Sequence, residues 1–254
     1  MNVLWFSCGV SSAVAAYLCR DELDKIIYCH VDDQHRDSLR FLQDMEALLG
    51  RRIDIVQSHY KSVDYACRME GMIRLPKFAI CTQNLKVWWR KMWEMDNPGR
   101  HTYYWGMDYG EREREERIVE RMPEFDHRFP LVEKELTKQD CHGMIARLGV
   151  KRPAMYDLGY QNNNCVGCIK GGRGYWNKIR NDFPVVFESR ARLERDIGHS
   201  CINGVFLDEL DPNAGRDKLM IDMSCFMYCS NALDDDREKK GRKEAERRNE
   251  GRDT

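Results

Sequence analysis

Short apolar runs alternate with helical stretches through the first half of the chain, and this alternation constrains the fold more than any other feature. The runs have the length of buried strands, and the stretches between them have the apolar spacing of helices. Helices bracketed by strands form βαβ units, so we expect an α/β fold with a doubly wound, mostly parallel sheet. The predicted strands cover residues 3–6, 25–31, 52–57 and 102–107, and the predicted helices cover residues 12–19 and 38–49.

The second half of the chain is less regular. A helix is predicted over residues 136–148, and a second helical stretch over residues 175–197 is interrupted by Pro184. Residues 162–175 are rich in Asn, Gly and Cys, which is typical of irregular structure. We expect three regions: an α/β core over residues 1–135, a helical and irregular cysteine-containing region over residues 136–233, and a charged, disordered tail over residues 234–254.

The composition excludes some classes of function. The 41 Lys and Arg residues balance the 42 Asp and Glu residues, so any basic surface must be local. No apolar run approaches the roughly 18 residues of a transmembrane helix, and the first residues lack the basic start of a signal peptide. We therefore expect a cytoplasmic protein with no membrane partner.

The loop between the first strand and the first helix has the sequence Ser-Cys-Gly-Val-Ser-Ser. Backbone N–H groups converge at such a loop, and the helix dipole favours a phosphate there. An ordinary turn with a serine N-cap explains the residues about equally well. No Gly-Lys-Ser/Thr follows, so the loop is not a Walker A motif. The candidate nucleotide-binding residues are Ser7, Cys8, Gly9, Ser11 and Ser12.

The chain has eleven cysteines, a high number for a protein without signs of secretion, and this favours metal ligation or thiol chemistry. Cys165 and Cys168 form a Cys-x-x-Cys motif in a glycine-rich segment, but two thiolates do not complete a metal site. A structural zinc would add Cys225 and Cys229, and the residues alone slightly favour it. The alternatives are a [4Fe–4S] cluster that also uses Cys81, or inert thiols.

Basic and aromatic residues follow the cysteine pair. Lys170, Arg173 and Lys178 surround Tyr175 and Trp176 in the sequence. Aromatic rings among cations can stack on the bases of a single-stranded nucleic acid, and the same cations can hold a small polyanionic nucleotide. We therefore take Lys170, Arg173 and Lys178 as candidate substrate-binding residues.

The loop after the first strand resembles the PP-loop, usually Ser-Gly-Gly-x-Asp-Ser, of ATP pyrophosphatases and phosphoadenosine-phosphosulfate (PAPS) reductases. Ser7, Gly9 and Ser12 match, whereas Cys8 replaces a glycine and Ser11 replaces the aspartate. PAPS reductases also depart from the strict motif, so the resemblance favours their side of the superfamily. It implies a Rossmann-like fold of the adenine nucleotide alpha hydrolase-like type.

Two further segments carry the resemblance. Residues 81–86 look like the Cys-Thr-x-x-Leu-Lys segment of PAPS-reductase-like proteins, which include cluster-bearing DNA phosphorothioation enzymes. Residues 164–180 look like the downstream half of reductase-like proteins that are often encoded by phages. The resemblance implies a catalytic or substrate-facing Lys86, and it favours a [4Fe–4S] cluster over zinc. The implied ligands are Cys81, Cys165, Cys168 and one of Cys225 and Cys229, of which we take Cys229.

The resemblance also extends to residues at the predicted strand ends. Asp32 and Asp33 match the position where the family contacts adenosine, although solvated turn carboxylates explain them equally well. Gly106 begins a stretch that looks like the Gly-x-Arg-x-x-Glu-Ser-x-x-Arg segment of the reductases, which implies nucleotide contacts from Gly106, Arg114 and Arg117. A salt-bridged surface helix is the alternative for the two arginines.

The expected function is sulfur chemistry on an adenylyl-activated substrate. In the reductase form Cys225 would be the attacking thiol, although its surroundings match the Glu-Cys-Gly-Leu-His segment of assimilatory reductases only at the cysteine. The expected ligand is ATP, accompanied by Mg²⁺, or an adenylyl sulfate such as PAPS, and the expected electron donor is a thiol protein such as thioredoxin. One alternative is an ATP-dependent thiolation enzyme that modifies tRNA or DNA. Another is a non-catalytic accessory protein with a structural zinc, and an oligomer is left open.

Overall fold

The computed structural model describes residues 1–75, 78–202 and 204–215. Its strands are β1 (Asn2–Phe6), β2 (Lys25–His30), β3 (Asp54–Gln57), β4 (Arg74–Leu75), β5 (Phe78–Ala79), β6 (Thr102–Tyr104) and β7 (Asp126–Arg128). Its α-helices are α1 (Val10–Leu18), α2 (Asp37–Leu49), α3 (Val63–Glu70), α4 (Ile80–Thr82), α5 (Trp88–Asp96), α6 (Glu115–Arg121), α7 (Pro130–Glu133), α8 (Lys138–Arg147), α9 (Ala154–Asp157), α10 (Arg173–Asp182) and α11 (Pro184–Ile197). A π-helical turn covers Gln83–Val87, and 3₁₀ turns cover Tyr109–Arg114 and Leu207–Glu209.

Five strands form one sheet in the order β3-β2-β1-β6-β7, and every pair is parallel. The chain runs outward from β1 to β3 on one side and then returns to β6 on the other side of β1. The direction of winding therefore reverses between β1 and β6, which is where open α/β sheets bind their ligands. The predicted α/β class with a doubly wound parallel sheet is confirmed, and β4 and β5 form a separate antiparallel hairpin.

Both faces of the sheet are buried by helices. Leu4 and Phe6 of β1 point to one face and join a core with residues of α1, α2 and α8. Val3 and Trp5 point to the other face, where they join a core with Trp93 of α5 and with residues of α6. A parallel strand that is buried on both faces must be apolar at nearly every position, as β1 is.

A third core holds the second half of the chain together. Trp176 and Ile179 of α10 and Leu193 of α11 are fully buried there with Cys67 of α3 and Ile169 of the cysteine segment. The irregular segment is thus fixed between helices rather than exposed. In contrast, α8 packs directly on α1 against the sheet, and the predicted division at residue 135 stays a prediction.

Most predicted elements are present with shifted ends. The predicted strand over residues 102–107 is shorter, at Thr102–Tyr104. Phe183 separates α10 from α11, and Pro184 occupies the first turn of α11, where its missing N–H has no cost. Cys225, Cys229 and the predicted tail over residues 234–254 lie outside the described residues. Within the described ranges, none of the helices combines the length and the apolar character needed to cross a membrane.

Candidate functional site

The loop after β1 is closed by its own serines. The backbone N–H of Ser7 donates to Ser12 Oγ at 3.2 Å, and Ser12 Oγ donates to the carbonyl of Gly9 at 3.0 Å. Cys8 has a positive φ of 57°, which turns the chain sharply at that residue. Gly9 then acts as the N-cap of α1 and supplies no side chain to its first turn. The loop thus leads into the N-terminus of α1, whose dipole favours an anion, while the N–H groups of Ser7, Gly9 and Val10 donate to oxygens of the protein.

The serines and the cysteine of this loop have different roles. The Cys8 side chain is fully buried, and burial raises the pKa of its thiol well above the usual range. Only the backbone of Cys8 can therefore face a ligand. Ser12 is also buried, and its hydroxyl is used within the loop. Ser7, Gly9 and Ser11 are the loop residues that line the adjacent cavity.

Gly106 lies against this loop just beyond β6. A Cβ atom at Gly106 would lie 2.4 Å from Ser12 Cα and 2.8 Å from Ser12 N. These are backbone atoms at the start of α1, so a side chain could fit only if the loop moved. Gly106 thus lets the end of β6 approach the loop closely, and its predicted nucleotide contact stays a prediction.

A cavity opens at this carboxyl edge of the sheet and encloses about 810 Å³, the open solvent at its mouth included. Three groups of residues share its wall: the loop after β1, the cysteines of two segments, and lysines from three parts of the chain. They are Ser7, Gly9 and Ser11; Cys81, Cys165 and Cys168; and Lys86, Lys138 and Lys170.

The charge of the described cavity wall favours an anion. Its three lysines face one carboxylate, that of Glu111. Burial raises the pKa of the Glu111 carboxyl, and the neighbouring Lys138 and Arg114 partly oppose this shift. Arg114 Nη1 also contacts Glu111 Oε1 at 2.7 Å, so the carboxylate is partly neutralised within the protein. A phosphate or sulfate is the kind of ligand that such a wall attracts.

Several residues of the site were not predicted from the sequence. The N–H of Val10 donates to the Tyr156 hydroxyl at 3.3 Å, and Asn163 Nδ2 donates to the carbonyl of Cys8 at 2.8 Å. Both side chains come from the second half of the chain and hold the loop through these hydrogen bonds. Lys138 joins the cavity from the first turn of α8. The run of three asparagines before Cys165 was the one feature of the sequence that could have indicated this role.

The cysteine segment is fixed by Tyr175. The N–H of Cys168 donates to the Tyr175 hydroxyl at 2.8 Å, and that hydroxyl donates to the carbonyl of Cys165 at 3.3 Å. A Cβ atom at Gly171 would lie 2.0 Å from the Tyr175 ring, so the segment passes directly over it. Tyr175 and Trp176 are buried in the core. The prediction that these rings could stack on nucleic-acid bases is therefore wrong.

Cys81, Cys165 and Cys168 are brought to one cavity although 84 residues separate the first two in the sequence. Within the part of the chain that the structure describes, no group of three or more His, Cys, Asp or Glu side chains is arranged to hold a metal ion. Cys229, the remaining predicted ligand, and Cys225 lie outside the described residues. The donor chemistry suits an iron–sulfur cluster, because thiols are its usual ligands, and the cluster stays a prediction.

The two aspartates after β2 do not line the cavity. Asp33 accepts from Arg190 Nη2 at 2.7 Å and from the N–H of Val63 at 2.7 Å. It therefore connects α11 to the start of α3, a structural role that replaces the predicted adenosine contact. Asp32 is exposed and accepts from Gln57 Nε2 at 2.6 Å. Gln34 is the residue of this turn that reaches the cavity.

The other predicted cations also lie away from the cavity wall. Arg114 pairs with Glu111, which supports the salt-bridged alternative for this residue, and Arg117 is exposed. Arg173 is exposed at the start of α10. Lys178 contacts Asp182 Oδ2 at 2.7 Å and lies over the Tyr160 ring. Lys86 and Lys170 are the predicted cations that line the cavity.

No protein-family model matches this sequence, and no curated protein is significantly similar to it. The likeness to PAPS reductases therefore rests on the short motifs described above.

Proposed function

We propose that this chain is an enzyme of sulfur chemistry that binds an adenylyl-activated substrate, such as adenylyl sulfate or PAPS. The observation that carries the proposal is the composition of one cavity. The loop after β1, three lysines and three cysteines all line it. The cavity wall thus combines a candidate phosphate-binding loop with candidate sulfur ligands.

The loop and the lysines support an adenylyl anion as the ligand. The phosphate would lie at the N-terminus of α1 beside Ser7, Gly9 and Ser11, where the helix dipole favours it. Lys86 and Lys170 follow two of the cysteines in the sequence, so they are suited to hold the anionic group nearest the thiols. Ser11 in place of the PP-loop aspartate favours an adenylyl sulfate over ATP with Mg²⁺.

The cysteines support an iron–sulfur cluster on Cys81, Cys165 and Cys168, with a fourth ligand from beyond residue 215. A bound cluster would supply electrons or a polarising positive centre next to the substrate sulfur. The protein's own contribution is to fix the segment around Cys168 through Tyr175.

In the reductase form, a thiolate attacks the sulfate sulfur of the substrate. An S–S bond forms while the S–O bond to the adenylyl phosphate breaks, and adenylate leaves with that electron pair. A dithiol donor of the thioredoxin type then attacks the enzyme sulfur and releases sulfite. The donor's second thiol resolves the mixed disulfide, so the dithiol is oxidised while sulfur is reduced from sulfate to sulfite. Cys225 is the candidate thiol.

The test is a product assay on the full chain, purified without oxygen. Adenylyl sulfate or PAPS with a reduced dithiol donor should yield sulfite and the corresponding adenine nucleotide in equal amounts. A Cys165→Ser variant should lose this activity, whereas Cys19→Ser should keep it, because Cys19 is buried at the far end of α1.

The other outcomes separate the alternatives. Pyrophosphate release from ATP, with sulfur transferred to tRNA or DNA, would replace the reductase by a thiolation enzyme. One zinc per chain and no product from either substrate would contradict an enzymatic role and favour the accessory protein.

A further inference from the structure

Lys138 is a cavity residue that neither the loop nor the cysteine motifs include. It is the first residue of α8, which is fixed by a capping box between Thr137 and Asp140. The N–H of Asp140 donates to Thr137 Oγ1 at 3.2 Å, and the N–H of Thr137 donates to Asp140 Oδ2 at 2.9 Å. Because α8 packs along α1, the capped start of α8 holds Lys138 at the edge of the cavity.

Among the described residues, the Lys138 ammonium group contacts Asn162 and Asp108, and it also interacts electrostatically with the Glu111 carboxyl. Nζ donates to Asn162 Oδ1 at 2.6 Å and lies 3.6 Å from Asp108 Oδ2. An ammonium group has three donors, so these neighbours leave capacity for a ligand. The side chain is about one-third exposed and lines the cavity, so a ligand can reach it.

The Asp108 carboxylate near Lys138 also accepts two hydrogen bonds from the neighbourhood of the loop. Oδ1 accepts from the N–H of Gly110 at 3.1 Å, and Oδ2 accepts from Ser11 Oγ at 3.2 Å. Asp108 is itself buried. Through this carboxylate, Lys138 is connected to Ser11 at the start of α1. The positive charge is thus positioned next to the loop that would bind the phosphate.

We infer that Lys138 is an anion-binding residue of this cavity, which holds the phosphate of the adenylyl group from the side of α8. The inference rests on the proposed function for the identity of the ligand. What is new is that this cation lies outside the segments that resemble PAPS reductases and that Asn162 and Asp108 position it. Loss of the charge should weaken binding of every phosphate- or sulfate-bearing ligand of the cavity.

The test measures binding of adenylyl sulfate, ATP and inorganic pyrophosphate to the full chain by calorimetry. Lys138→Gln removes the charge but keeps a donor for Asn162, and we expect dissociation constants at least about tenfold higher, which corresponds to about 1.4 kcal/mol. Lys134→Gln is the matched control, because Lys134 is exposed and lies outside the cavity wall. Lys138→Arg should recover part of the affinity.

A purely structural role for Lys138 predicts a different result. Removal of a ligand-contacting cation should reduce the salt dependence of binding, since fewer ions are exchanged when the anion binds. Equal affinity and equal salt dependence in Lys138→Gln and the native chain would overturn the inference. If Lys138→Gln does not fold, a folded Lys138→Met variant that binds pyrophosphate as tightly as the native chain would also overturn it.

Failure of the two proposals can be distinguished. Pyrophosphate binding that depends on Lys138, without any affinity for adenine nucleotides, would contradict the proposed function and keep the inference. Nucleotide binding that does not depend on Lys138 would contradict the inference and keep the proposed function. A native chain that binds none of the three probes would overturn both.

Discussion

Gly106→Ala should disturb the loop after β1. The added Cβ would lie 2.4 Å from Ser12 Cα and 2.7 Å from Ser12 Cβ, whereas ordinary contacts of this kind begin at 3.4 Å. Relief therefore requires the strand end and the start of α1 to separate by about 1 Å. Overpacking of this kind costs about 1–3 kcal/mol of unfolding free energy.

The same displacement should weaken binding. It moves the N–H groups at the start of α1 by about a third of a hydrogen-bond length, and displacements of about 1 Å can cost about a hundredfold in function. We expect at least a tenfold rise in the dissociation constant for adenylyl sulfate, measured by calorimetry, together with a lower urea midpoint.

Gly143→Ala is the matched control. Gly143 lies within α8, where an added Cβ meets only the end of the Arg147 side chain at 3.4 Å. Alanine favours a helix over glycine by up to about 1 kcal/mol, so this variant should be as stable as the native chain or more so. If Gly106→Ala matched Gly143→Ala in stability and in affinity, the close packing of Gly106 on the loop would be refuted.

Three further predictions concern buried polar groups. Arg190→Met should lower the unfolding free energy by about 3–5 kcal/mol, because it leaves Asp33 without its buried partner, and adding Asp33→Asn should recover part of the loss in urea unfolding. Tyr175→Phe should cost about 1–3 kcal/mol, since the Cys168 N–H loses its acceptor, and an unchanged melting temperature would contradict this role. Burial raises the pKa of the Glu194 carboxyl above 4.5, so the folded state binds its proton more tightly than the unfolded state. Stability from this group should therefore fall as pH rises from about 4.5 through the raised pKa, and Glu194→Gln should remove that dependence in urea unfolding at a series of pH values.

Local sequence pattern was sufficient for the sheet and for the loop. The apolar strands needed burial on both faces, which a doubly wound parallel sheet provides. The small residues from Ser7 to Ser12 allow a close turn, in which Ser12 Oγ donates to the carbonyl of Gly9. Pro184 divided the last helical stretch where the structure divides it, because proline lacks the N–H that a helix interior requires.

Contacts between residues far apart in the sequence could not be predicted from local sequence pattern. Asp33 looked like a ligand at a strand end, but its partner Arg190 is 157 residues away. Tyr175 and Trp176 looked like a stacking surface, because a sequence cannot distinguish an exposed ring from one that holds a turn in the core. Lys138 and Tyr156 lie in the second half of the chain and reach the loop only through the packing of α8 and α9.

If a nucleotide site and a cysteine-ligated cluster share one cavity, anaerobically purified protein should contain iron and acid-labile sulfide. We expect roughly four irons and four sulfides per chain, with both lost in Cys165→Ser and retained in Cys19→Ser. One zinc per chain with no sulfide, or iron that is retained in Cys165→Ser, would show that these cysteines hold no such cluster.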